Sequence, residues 1–369
     1  MYASPTQGYQ PQQLYDLNTP YGEPDELKTL IKDLKAAGIK PIADIVINHR
    51  SAECRSANGQ YIKFKDTVAH PGRRIDWGPS AVCRNCPFHG DGNDDTGDFA
   101  YFAPDLDHTN QCVQEGLKDW LNWLKNDIGF EGFRFDMVKG YAPHFTKLYL
   151  EATGMANNSS LCVGEHYTAN LVNNEAVYDQ NPSRQAIVNW IDGTGGVCMA
   201  FDFPTKFILN ATVKGFQPTL WRLIDPQGKP PGLMGWWPGK AVTFVENHDT
   251  EPVRNNGQDF PSSGLQLGYA YILTHPGTPC VFWRHMFDGD EGLKSAIRAL
   301  MRTRTRNGIT SESPITILEH DADLYMARIG NKLTVKLGPR YELGSRLPKE
   351  SDGWHLACSG QNWAVWEKR

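Results

Sequence analysis

Two hydrophobic periods take turns along this chain. Residues 26–37 (ELKTLIKDLKAA) put Leu27, Leu30, Ile31 and Leu34 on one helical face, and Gly38 follows as a stop. Residues 39–47 then read as a β-rich strand. Helical spacing returns at 111–127, where Val113, Leu117, Leu121 and Leu124 face one way. From there apolar runs and helical runs alternate. A strand ending at Asp136 precedes a helix over 143–151, and a strand ending at Glu165 precedes a helix over 183–191. Strand 198–203 leads into a helix from Thr205, strand 241–245 into a helix over 265–273, and strand 279–283 into a helix over 293–307. This βαβα rhythm predicts parallel strands. Beyond residue 310 come five short β runs separated by turn residues (ITILEH, LYMARIG, KLTVKLG, WHLACS and NWAVWEK), which predict a small antiparallel sheet.

Residues 51–111 break the rhythm. They are polar, rich in Gly, Asp and Asn, and too long for a simple connection, so they read as an inserted domain. The expected organisation is a parallel α/β barrel over 1–50 and 112–310, an inserted domain over 51–111, and an antiparallel sheet over 311–369. Four of the apolar runs stop abruptly at polar chemistry: ADIVINHR, GFEGFRFD, CVGEHY and TFVENHDT. Strand ends are where a parallel barrel keeps its functional residues.

Composition narrows the function. With 37 basic and 42 acidic residues the formal charge is −5, and no basic run points to nucleic acid or an anionic membrane. No apolar run is long enough to span a bilayer. Eleven Trp, fourteen Tyr and sixteen Phe, many beside Gly, Pro, Asn or Asp, suit flat sugar rings as well as core packing. Among eight cysteines, Cys162, Cys198 and Cys280 read as buried thiols. Cys83 and Cys86, with His89 following, suit half a zinc site or a disulfide. Asn157, Asn158 and Asn210 lie in glycosylation sequons, which matter only in a secreted protein. The polar opening residues, with no apolar stretch, lead us to expect no signal peptide in this segment.

Two carboxyl groups can cleave a glycosidic bond if one is ionised and the other protonated. Arg134 lies two residues before Asp136, so on a strand both point the same way, and the guanidinium holds Asp136 ionised as a nucleophile. No cation precedes Glu165 in sequence, which makes it the better acid. Asp249, beside His248, can hold sugar hydroxyls as a third carboxylate, and His49 can donate to another hydroxyl.

In order and type, these four segments resemble the signature regions of the α-amylase family of glycoside hydrolases. RLIDPQGKPPGLMGWWPGKAVTFVENHDT, GYAYILTHPGTPCVF and WAVWEKR extend the resemblance to its plant and green-algal type almost end to end. The resemblance implies a (β/α)8 TIM barrel with an inserted B domain and a C-terminal antiparallel sheet. It implies endo-hydrolysis of α-1,4 links in starch and related glucans with retention of configuration. It makes Asp136 the nucleophile, Glu165 the general acid/base and Asp249 the transition-state stabiliser, with Arg134, His49, His248 and Lys139 around the substrate. Tyr9 matches a sugar-stacking tyrosine, Trp236 and Trp237 a starch-granule surface pair, and Tyr341 a second carbohydrate contact. Calcium is implied, with Asn48, Asp95, Asp105 and the Gly140 carbonyl as ligands. The expected partners are starch and α-1,4-glucan oligosaccharides, with no nucleic acid, no membrane and a monomeric state.

The chain departs from that pattern in three places. The family carries two barrel strands ahead of the segment that opens this chain, so the barrel is expected to be N-terminally incomplete, with only six strand candidates here. The intact carboxylates favour an enzyme, and the absent strands favour a non-catalytic starch-binding protein. Localisation is expected to be cytoplasmic or plastid if the chain is complete, and secretion is open if a segment lies upstream. The Asp-rich loop is one residue short, so Gly97 must supply a carbonyl to calcium. Glu246, His166-Tyr167 and Met137 replace the usual residues beside the site.

Overall fold

The computed structural model describes residues 8–57, 59–65, 75–157, 160–168, 179–214, 218–254 and 257–369. The chain divides into two compact units: Met1–Tyr167 with Asn189–Met199, and Thr168–Val188 with Ala200–Arg369. The Asn158 sequon falls outside the described residues.

The first unit is built on three parallel strands. α1 (Pro24–Ala36) starts at a capping box between Glu23 and Glu26, with Pro24 in its first turn. β1 (Ile42–Ile45) follows. Among the described residues of the insertion lie two short strands, β2 (Cys54–Arg55) and β3 (Tyr61–Lys63), paired antiparallel. α2 (Gln111–Trp123) is capped by Asn110, whose side chain accepts from the Cys112 N–H, and runs into a π-helical turn over Leu124–Ile128 that Gly129 ends with φ 104°. β4 (Gly132–Phe135), α3 (Pro143–Ala152) and β5 (Leu161–Gly164) complete the alternation. β4 lies between β1 and β5. Its register sets Arg134 opposite Asp44 on one side and Val163 on the other. Phe133 and Phe135 are fully buried and anchor β4, each contributing roughly 2–3 kcal/mol. The α1 face is less covered than its pattern implies: Ile31 is buried, but Leu30 is 54% exposed.

α4 (Asn181–Gly193) crosses the division between the units. The second unit carries β6 (Met199–Phe201), α5 (Phe203–Val213), α6 (Gly232–Trp236), β7 (Ala241–Phe244), α7 (Leu265–Thr274), β8 (Thr278–Cys280), α8 (Trp283–Phe287) and α9 (Glu291–Arg306). β7 pairs parallel with both β6 and β8. All four residues of β7 are buried, as in a parallel strand covered on both faces. β8 is shorter than its apolar run suggests, because Trp283 already belongs to α8. Cys280, expected to be buried, is exposed: it ends a strand on the outer side of β7. Asn210 is buried, its amide held by the Gln258 and Asp259 carbonyls, so its sequon is not presented.

The C-terminal runs form one antiparallel sheet of β9 (Ile315–His320), β10 (Tyr325–Ile329), β11 (Leu333–Leu337), β12 (Trp354–Gly360) and β13 (Trp363–Lys368), in the order β12-β13-β11-β10-β9. β11, central in that order, is buried throughout. Among the described residues no helix is long and apolar enough to cross a membrane.

Candidate active site

The site in the first unit grows from the ends of β1, β4 and β5. The Asp136 N–H donates to the Ile45 carbonyl and the Glu165 N–H to the Phe135 carbonyl, so the parallel ladder continues one residue past each strand. Both carboxylates are therefore placed by backbone pairing, and both residues are buried. One guanidinium joins them. Arg134 Nη1 lies 2.7 Å from Asp136 Oδ1 and 2.8 Å from Asp44 Oδ1, and Nη2 lies 3.0 Å from Glu165 Oε2. Burial opposes the charge on Arg134, but Glu165, Asp44 and Asp136 outweigh it and hold its pKa above the ordinary value.

This corrects the electrostatic contrast expected from sequence. The cation that stabilises Asp136 touches Glu165 as well, because parallel pairing of β4 with β5 sets the two strand ends side by side. Proximity along the chain gave only half of the arrangement.

Asp44, to which the ADIVINHR run alone assigns no role, joins the site. Its Oδ2 accepts the Tyr9 hydroxyl at 2.6 Å, and the Tyr9 ring lies 5.4 Å from the Arg134 guanidinium. Burial, and then Asp44, push the Tyr9 hydroxyl pKa up, so it stays a donor. The signal was available in register: Asp44 pairs directly with Arg134 across β1 and β4. His49 is buried, and burial holds its imidazole below the usual pKa. It lies on the Tyr9 side of the cluster, with Nε2 2.9 Å from the Tyr9 carbonyl. In the neutral ring that nitrogen is the donor, so the hydroxyl-donating role expected for His49 competes with this bond.

The sequence marks Met137 only as an unusual neighbour of the site. Its backbone is left-handed, φ 44° and ψ 49°, at a cost of roughly 1–2 kcal/mol for a residue other than glycine. Its N–H donates to Glu165 Oε2 at 3.2 Å. Nothing in residue type signals this, because it depends on a dihedral angle. His166 is half-buried, and burial and then Lys139 push its imidazole down to about 4. Lys139 itself is exposed and pairs with Asp98 at 3.1 Å.

A second cluster in the same unit gathers the expected calcium ligands. Asn48 Nδ2 donates to Asp105 Oδ1 at 2.8 Å, which turns Asn48 Oδ1 away from that carboxylate. A Cβ on Gly140 would fall 1.8 Å from Asn48 Oδ1, and one on Gly97 would fall 2.3 Å from the Lys139 carbonyl. Only glycine fits these approaches. Asp95 Oδ1 accepts from the Thr96 and Gly97 N–H groups. Asn48 Oδ1 and Asp95 Oδ2 are buried without a hydrogen-bond partner among the described residues. Burial raises the pKa of Asp95 and pushes Asp105 up to about 7. The cradle therefore has spare oxygens and carboxylates whose charge burial disfavours, which suits a hard cation. No cluster of three His, Cys, Asp or Glu side chains with metal-binding arrangement occurs among the described residues; this set mixes two carboxylates with an amide and backbone carbonyls. Cys83 and Cys86 are buried free thiols, and Cys86 Sγ donates to the Cys83 carbonyl at 3.1 Å.

In the second unit, Asp249 follows β7 and is exposed, 3.3 Å from His248 Nε2. Its N–H donates to Asn247 Oδ1 at 3.1 Å. The loop beneath it is fixed by Glu246, which accepts from the Thr250 hydroxyl, from the Asn247 N–H, and from the Phe260 N–H at 2.7 Å. Lys206 lies 3.7 Å from Glu246 in full burial and donates to the Gln258 carbonyl. Trp236 is 36% exposed with Arg184 over its ring, and Trp237 is half-buried. Tyr341 is 71% exposed in the connection between β11 and β12, with Lys336 Nζ 4.4 Å from its ring.

Comparison with known proteins matches residues 1–180 to the family described as alpha amylase, catalytic domain, and residues 306–367 to the alpha-amylase C-terminal beta-sheet domain. The chain is 42% identical over 363 residues to probable alpha-amylase 2 of Arabidopsis thaliana, covering 98% of this chain and 83% of that protein. It is 40% identical to the chloroplastic alpha-amylase 3 of the same plant, covering 98% of this chain and 39% of that longer protein. An α-amylase structure from Malbranchea cinnamomea superposes with a TM-score of 0.68 at 17% identity, covering 99% of this chain and 82% of that one. The shared fold is the (β/α) barrel with a C-terminal antiparallel sheet.

Proposed function

The chain belongs to the α-amylase family, and from that premise we propose that it hydrolyses α-1,4 links within starch and related glucans, with retention of configuration. The observation that carries the reading is the pair Asp136 and Glu165 at adjacent strand ends, both in contact with Arg134. Carboxyl groups close enough to share one guanidinium suit the short spacing of retaining enzymes, about 5–5.5 Å. Asp136 attacks the anomeric carbon while Glu165 gives its proton to the departing glycosidic oxygen. Glu165 then takes a proton from the water that releases the sugar from Asp136. Asp249 is assigned the third carboxylate's role by its motif, with His248 beside it. Tyr9, His49, Lys139, Trp236, Trp237 and Tyr341 are assigned to glucan contacts on the same basis.

We assign Asn48, Asp95, Asp105 and the carbonyls of Gly140 and Gly97 to a calcium ion. When bound, the ion supplies structural charge that offsets the buried carboxylates. The protein's own part is to hold the 95–98 loop against residues 139–140, where the Asp98 N–H donates to the Lys139 carbonyl at 2.9 Å.

The test is direct. Purified protein should release α-anomeric oligosaccharides from soluble starch, and Asp136→Asn should lower kcat/KM by about 10⁴-fold. If wild type and variant release sugar equally slowly while both bind starch, the protein is a binder and not a hydrolase.

A further inference from the structure

We propose that Met137 is a positioning residue: its left-handed turn makes the segment after the nucleophile grip the general acid at both backbone and carboxylate. This rests on the reading of Glu165 as the acid. Strand alternation sends the Asp136 N–H toward β1, where it donates to Ile45, and the next N–H toward β5. That next donor, Met137 N–H, meets Glu165 Oε2 at 3.2 Å. An extended residue 137 would turn the following N–H away again. At φ 44° the chain instead curls, and the Val138 N–H donates to the Glu165 carbonyl at 3.3 Å. With the Glu165 N–H on the Phe135 carbonyl at 2.8 Å, three hydrogen bonds tie the acid to the strand end that carries Asp136.

The side chain adds a second tie. Asn48 Nδ2 lies 3.6 Å from Met137 Sδ. Met137 thus touches Glu165 through its backbone and Asn48 through its thioether. Non-glycine residues with positive φ are uncommon, and among the described residues only His89, Met137 and Asn362 have one. Strain of this kind persists where the surroundings enforce it, commonly beside catalytic groups.

Two variants separate positioning from general stability. Met137→Val resists the left-handed region because it is β-branched, whereas Met137→Gly adopts it freely and keeps the N–H. Each is assayed on maltoheptaose, whose leaving group needs the acid, and on a dinitrophenyl maltooligoside, whose leaving group does not. Met137→Val should lose about 10- to 100-fold in kcat on maltoheptaose with KM within about twofold, and less than about threefold on the activated substrate. Met137→Gly, which keeps the backbone ties but loses the thioether contact with Asn48, should retain at least about fivefold more kcat than Met137→Val on maltoheptaose. The ratio between substrates does not depend on the folded fraction, so partial misfolding does not mimic the result. Equal loss on both substrates, or a Met137→Val enzyme matching wild type on maltoheptaose, overturns the inference alone. Wild-type protein that cleaves neither substrate overturns it together with the reading beneath it.

Discussion

Asp136 and Glu165, in the first unit, are buried and held by charge: one guanidinium reaches both, and Asp44 besides. Asp249, in the second unit, is exposed, and what is buried there is the loop's own support. Glu246 collects the Thr250, Asn247 and Phe260 donors, and Lys206 closes the arrangement from below. In the first region a cation with planar, forked donors grips the carboxylates themselves, over and above the backbone ladder that places them. The second fixes a backbone path and lets the carboxylate follow. The difference predicts different tolerances. Where charge does the holding, replacing the cation fails even if shape is kept. Where hydrogen-bond geometry does the holding, a neutral residue of the same shape succeeds in part.

Arg134→Met should have the largest effect. It leaves three carboxylates sharing a site without their cation, so kcat/KM should fall by about 10³-fold, with stability lowered by about 3–5 kcal/mol. Arg134→Lys should rescue little, because an ammonium cannot span two carboxylates as the fork does. Kinetics on maltoheptaose and urea melts check both, and a lysine variant near wild-type rate removes the contrast.

Glu246 tests the other side. Glu246→Gln keeps an acceptor and should lose about tenfold in kcat or less, while Glu246→Ala strands the Thr250 and Phe260 donors and should lose stability by about 3 kcal/mol. Lys206 adds a pH signature. Burial pushes its pKa down to about 8 from the ordinary 10.5, against the pull of Glu246. Between these values the unfolded chain binds the proton and the folded protein does not, so this residue makes stability rise with pH through that window. The stability of wild type relative to Lys206→Met should therefore increase from pH 8 to pH 10 in paired thermal melts. A flat difference contradicts the dominance of burial over the pull of Glu246.

Calcium removal should act on the first unit. A chelator should lower Tm, and readdition at about 100 times Kd should restore about 2.7 kcal/mol. Asp105→Asn should abolish that response, and an unchanged Tm on chelation removes the calcium assignment. The smallest effect belongs to the exposed aromatics. Trp236→Ala should reduce adsorption to starch granules by a few-fold, about 1 kcal/mol of stacking, with turnover of soluble oligosaccharides unchanged.

The sequence made the strand-end carboxylates legible because an apolar run that halts at Asp136 or Glu165 is a local pattern. The helices expected over 111–127 and 293–307 were legible for the same reason, through their spacing, and the structure places them at Gln111–Trp123 and Glu291–Arg306. What escaped depends on pairing or dihedral angle. Asp44 meets Arg134 through strand register, Glu165 shares that cation through a neighbouring strand, and Met137 acts through a positive φ. Cys280 and Leu30 escaped differently. Their apolar surroundings predicted cover, but burial requires a neighbour that residue type does not specify.

The central claim is that Asp136 forms a covalent bond to the sugar and Glu165 serves as its acid/base partner. The most direct measurement is mass spectrometry of protein quenched after reaction with a fluorinated α-glycosyl fluoride, which slows release of the sugar from the enzyme. The account predicts one glycosyl adduct on the peptide containing Asp136, absent in Asp136→Asn and persistent in Glu165→Gln. An adduct on another carboxylate, or rapid turnover by Asp136→Asn, would contradict it.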